Sequence, residues 1–171
     1  HSWDYGSGIT DEWPLEDSEY TYLRSEAADG ATVWFDFSRG LVDMQPDPLL
    51  SVLMGVDGDG AVTIHGLMDA DGTESTFSPP VVLGLAAWEV GETTSSDSTL
   101  DGSPVSWSVE LAERAEHEVR YGLFPDAVRL EVNDGGATPL GGTWWLGANA
   151  GIIQLDTDDG ILGSLDLLTY R

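Results

Sequence analysis

The residues of this chain best suited to chemistry lie in one stretch, Val105 to Tyr121. Its odd positions read Val105, Trp107, Val109, Leu111, Glu113, Ala115, His117, Val119 and Tyr121. Seven of these nine are apolar or aromatic, against one of the eight even positions, and that settles the period as two. Glu113 and His117 therefore fall on the apolar face, where a polar group needs a partner. They are four residues apart, about 13 Å on a strand, so they cannot touch directly. Two readings stay open. The pair lines opposite ends of one cavity with Trp107, Val109, Leu111 and Tyr121. Alternatively, a bulge near Ala112 flips the register and turns one of the pair outward. In the cavity reading Glu113 or His117 would serve as general acid or base, or His117 would fix a bound group.

Other constellations are weaker. The histidines, His1, His65 and His117, lack the spacing of a metal site. His65 is expected to point outward, with Val62, Ile64 and Met68 as the inward row. Asp-rich turns such as Asp57-Gly58-Asp59-Gly60, Asp69-Ala70-Asp71-Gly72 and Asp156-Thr157-Asp158-Asp159-Gly160 resemble calcium loops, but each fails the required positions. They read as hairpin turns, with at most weak surface binding of Ca²⁺ or Mg²⁺. No cofactor is implied and no dedicated metal site. No Gly-x-Ser-x-Gly occurs, and a phosphate loop with its lysine is impossible in a chain without lysine. Trp144 and Trp145 are adjacent, so on a strand one faces the core and one faces out.

The elements that must position these residues are strands. Asp-Gly pairs at Asp29, Asp57, Asp59, Asp71, Asp101, Asp134 and Asp159 suit the positive-φ positions of tight hairpins. Between them, strands are expected near Thr32–Phe37, Ala61–Met68, Val105–Tyr121, Ala127–Val132, Thr143–Leu146, Ile152–Asp156 and Leu165–Tyr170. A short helix over Pro48–Met54, capped by Asp47, is also expected. Gln45-Pro46-Asp47-Pro48 and Ser78-Pro79-Pro80 read as loops, because proline withholds a ladder donor. The fold class is all-β: a curved antiparallel meander sheet, half-barrel or barrel. Residues 1–30 carry eight acids and five aromatic residues, and read as an acidic aromatic arm ahead of a β domain over 31–171.

Composition bounds the partners. The 171 residues contain 31 acids and six basic residues, all arginine, for a net charge of −25, and no cysteine. Such a surface repels nucleic acid and anionic membrane surfaces. Salt adaptation explains it most simply, and the melting temperature should then rise with salt. The chain opens on His1 rather than Met, so removal of a leader is expected.

Phe77-Ser78-Pro79-Pro80 with Trp88-Glu89-Val90-Gly91-Glu92-Thr93, and Gly142 through Ile153, resemble segments of bacterial extracytoplasmic lipoprotein-type β half-barrel domains. The likeness spans about a quarter of the chain, and it carries no catalytic residue and no lipidation cysteine. It implies a secreted, periplasmic or cell-envelope location. The opening His1-Ser2-Trp3-Asp4-Tyr5-Gly6 resembles the N-terminus of α-type carbonic anhydrases, whose paired zinc histidines have no counterpart here. The expected function is a non-enzymatic binding or assembly domain that holds another envelope protein by its concave apolar face or its arm. The alternatives are a carrier of a lipid or other apolar small molecule, and a small barrel enzyme using Glu113 and His117.

Overall fold

Short Asp-Gly turns and period-two segments build an antiparallel meander, seen here in a computed structural model. The structure describes residues 2–7, 20–29, 32–40, 46–119, 122–147, 151–158, 162 and 164–170. Among them run β1 (Ser2–Ser7), β2 (Tyr20–Asp29), β3 (Thr32–Gly40), β4 (Pro46–Val56), β5 (Val62–Asp69) and β6 (Glu74–Gly84). They continue as β7 (Thr93–Leu100), β8 (Ser103–Val119), β9 (Gly122–Asn133), β10 (Gly142–Gly147), β11 (Gly151–Thr157) and β12 (Ser164–Tyr170). Each strand pairs with its sequence neighbours, and β1 also pairs with β12, so the curled sheet meets itself. Of the segment read as an arm, Ser2–Ser7 and Tyr20–Asp29 pair as β1 and β2; residues 1, 8–19 and 30 lie outside the described residues.

The core lies on the inner face. One cross-strand row shows how it forms: Leu111, Leu130, Trp144 and Leu155 are successive partners on β8 to β11, each at most 2% exposed. Trp107 adds an edge-on contact with Phe77 and donates its indole N–H to the Val82 carbonyl at 2.7 Å. These side chains belong to one contiguous cluster of buried apolar residues.

Three expectations need correction. Pro48–Met54 is not a helix, nor is Pro46–Pro48 a loop: both belong to β4. Leu50, Val52 and Met54 are buried while Leu53 is less so, which is the alternation of a strand between β3 and β5. Pro48 sits where the β3 register shifts, a position that tolerates a missing N–H. The second correction is Ser78-Pro79-Pro80, which lies inside β6 rather than in a loop. The prolines interrupt pairing without ending the strand, and only Phe77 and Ser78 are ladder partners of β7. Hydroxyls of β7 make up the difference. Ser98 donates to the Pro79 carbonyl at 2.5 Å, Thr99 donates to the Ser78 carbonyl at 3.2 Å, and Ser96 accepts from the Val82 N–H at 3.2 Å. Third, the register of β5 shifts between Ile64 and Gly66, so Leu67 rather than Met68 joins Ile64 inside.

Candidate functional site

The chemistry-bearing residues of β8 come to rest on two faces. Trp107, Val109 and Leu111 point inward and are core, at 1%, 0% and 2% exposure. The register of β8 against β9 then shifts between Leu111 and Glu113, leaving Ala112 without a partner. This is the bulge that the sequence raised as an alternative, and it turns Glu113 out beside Arg129. A second shift, between Ala115 and His117, re-aims the end of the strand. Tyr121 lies outside the described residues.

Glu113 and His117 join one outer-face patch without touching each other. Arg129 donates from Nε to Glu113 at 3.2 Å and from its guanidinium to Glu131, and Glu131 also accepts the Thr143 hydroxyl at 2.9 Å. The Arg129 charge offsets a like-charge pair, since Glu131 faces Glu110 across the ladder. Beside it the His117 ring lies flat on Trp145, with centroids 3.7 Å apart and planes 6° off parallel. His117 Nε2 is 2.6 Å from Gln154 Oε1. Trp144 is buried and Trp145 half-buried, the split their adjacency requires. Glu113 is 47% exposed, and its ion pair sits in solvent, where such pairs contribute at most about 1 kcal/mol. The two candidate acid–base groups are thus engaged with different neighbours. Arg129 and Gln154, and the pairing of Trp145 with His117, escaped sequence reasoning, because cross-strand partners become visible only once register is known.

A second feature lies on the outer face of β3 to β6. Gly55, Val56, Asp57, His65, Pro80 and Val82 line most of a half-open groove of about 350 Å³, with mainly apolar walls. Gly55 contributes no side chain, and its partner Thr63 donates its hydroxyl to the Gly55 carbonyl at 3.4 Å. The same hydroxyl lies 3.0 Å from His65 Nε2. His65 is half-buried in the groove wall, on the outer side as expected. No sequence motif marks this groove; the register shift at His65 and Pro80 of β6 both border it.

The Asp-rich turns use their carboxylates on their own backbone. Asp57 accepts the amides of Asp59 and Ala61, and Asp69 accepts those of Asp71 and Thr73. Asp134, 4% exposed, accepts the amides of Gly136 and Thr138. The Thr73 hydroxyl first, then Asp69 and the Thr73 amide, hold the Asp71 carboxyl below its ordinary value. Asp101 is lowered too, first by Ser75 and then by the Thr76 amide. Among the described residues no group of three or more His, Cys, Asp or Glu side chains is arranged to hold a metal ion. Comparison with known protein families, with curated proteins and with solved structures found no match to this chain.

Proposed function

We propose that this chain is a non-enzymatic binding or assembly domain, secreted or held in the cell envelope, that engages another envelope protein through its outer surface. The observation that carries this reading is the apolar groove on the outer face of β3 to β6, on a sheet whose inner face is taken up by core side chains. A carrier needs an enclosed, mostly apolar cavity. Here the residues that would line it, Trp107, Val109 and Leu111, contact other side chains instead. An enzyme needs its acid and base to converge at one pocket. Glu113 and His117 instead serve Arg129 and the Trp145–Gln154 pair. The envelope location is supported by the likeness of two segments to extracytoplasmic domains, and the acidic surface favours a protein partner over nucleic acid or anionic lipid.

Native mass spectrometry of protein purified gently from its own source, without detergent or chelator, tests this. The expected spectrum shows the chain bare, in a defined oligomer, or with a second protein. A stoichiometric small apolar molecule retained on the chain would replace the binding-domain reading with the carrier.

A further inference from the structure

We infer that the groove over β3 to β6 receives an apolar side chain of a protein partner whose surrounding surface is basic. This rests on the binding-domain reading and adds the place and the partner's charge.

The groove sits beside exposed apolar surface. Val56, at the end of β4, is 57% exposed, and Leu85 is 40% exposed. Val56 pairs with Val62 and Val62 with Gly84, so Leu85 follows directly at the same end of the sheet. Ala86 closes on the neighbouring turn, 3.1 Å from where a side chain on Gly60 would begin. The patch is thus continuous with the groove. Its volume of about 350 Å³ is at the small end for a ligand site, and it is half open. Sites for free small molecules enclose most of the ligand's surface. An open groove of this size suits a single anchoring side chain, in the way that interface hot spots seat one residue in a pocket.

Charge complementarity sets the rest of the partner. Asp57 lines the groove, and its Oδ1 takes both turn amides, which leaves Oδ2 outside those bonds. Asp59, in the same turn, is exposed. The arginines whose side chains are described, Arg114 and Arg129, lie on β8 and β9, and neither lines the groove. In a chain of net charge −25 this rim repels a second copy and any acidic partner, and steers a cationic one toward it.

The test uses three synthetic peptides with the same central leucine, flanked by arginines, by serines or by glutamates, titrated into the ¹⁵N-labelled chain. The arginine-flanked peptide should shift the amides of Val56, Thr63, His65 and Val82. Val56→Ser and Asp57→Asn should each weaken it about tenfold, an anchor- or charge-sized loss, with the melting temperature unchanged. Equal binding of the serine- or glutamate-flanked peptide would overturn the charge assignment. Shifts confined to the Arg129–Trp145 patch would overturn the location while leaving a binding domain in place. Silence from all three peptides would overturn the inference, and the mass spectrum of the native protein would then decide the underlying reading separately.

Discussion

Three tryptophans in this chain show how one polar atom separates otherwise similar core residues. Trp107 donates its indole N–H to Val82 and Trp144 donates to Leu140 at 2.9 Å, so both are buried with their hydrogen bonds made. Trp88 packs over Gly84 with its indole nitrogen buried, and among the described residues it finds no acceptor. A buried donor without a partner carries a desolvation cost of about 1–3 kcal/mol that a phenylalanine avoids. Trp107→Phe strands the Val82 carbonyl as well as losing contact area. Trp88→Phe should therefore lower the melting temperature clearly less than Trp107→Phe, or not at all, as read by thermal unfolding. Equal losses would mean that Trp88 has a partner in solution. At this scale the candidate site was only partly legible. Glu113 and His117 stand out in the sequence as polar residues on an apolar row, yet nothing local announces that Arg129, Trp145 and Gln154 are waiting for them on three other strands.

Turns and bulges decide where the elements send those residues. The alternation of β8 holds from Val105 to Leu111 because no residue is inserted there, and that half of the strand could be read directly from the sequence. Beyond it two bulges reset the faces, and period counting no longer tells inside from outside. β7 was not foreseen for a different reason. Its Thr93–Leu100 sequence has one apolar residue, and serine hydroxyls do work that an apolar pattern would not reveal. β4 was misread because prolines at its start and the adjacent leucines imitate a helix entrance. The Asp101-Gly102 turn, in contrast, behaves as its sequence demands. Both residues have positive φ, at 50° and 82°, closing the two-residue hairpin between β7 and β8. Asp101 also clasps β6 beside the interrupted ladder. Its N–H donates to the Thr76 carbonyl at 3.2 Å, and its carboxylate accepts the Thr76 amide at 2.9 Å.

That clasp has a pH signature. The Asp101 carboxyl is held below its ordinary value, so the folded state favours the charged form. Its contribution is complete above the ordinary aspartate value and is lost as the pH falls through the lowered one. Asp101→Asn keeps a residue that tolerates positive φ and removes the charge. The parent should therefore melt above this variant at pH 7, and the gap should close as the pH falls below the ordinary aspartate value and through the lowered one. A gap that persists unchanged in acid would assign the stabilisation to geometry alone.

At the scale of the molecule, the described residues of β8 and β9 put apolar core on the inner face and charge on the outer. Alternation separates the two along β8 and β9. Val109, Leu111, Leu130 and Val132 face in, while Glu110, Glu113, Arg129 and Glu131 are half or fully exposed. A membrane-spanning barrel inverts this, with an apolar outer band around a polar interior. Self-repulsion among 31 acids opposes folding, and added salt screens it over about 3 Å at molar ionic strength. The melting temperature should rise from low to molar NaCl, whereas binding of a basic partner should weaken over the same range. A melting temperature that stays flat or falls would mean that the acids are compensated within the fold.

Core side chains occupy the inner face of the described strands, and refolding tests most directly whether they do so without a ligand. Protein from its natural source would be fully unfolded, freed of every small molecule, and refolded in plain buffer, and its ¹⁵N–¹H spectrum and melting temperature would be compared with those of the untreated protein. The account predicts that the two coincide. A refolded chain that melts lower, with the amides of Val109, Leu111 and Leu130 shifted or broadened, would show that a lost ligand had occupied the interior, and would contradict it.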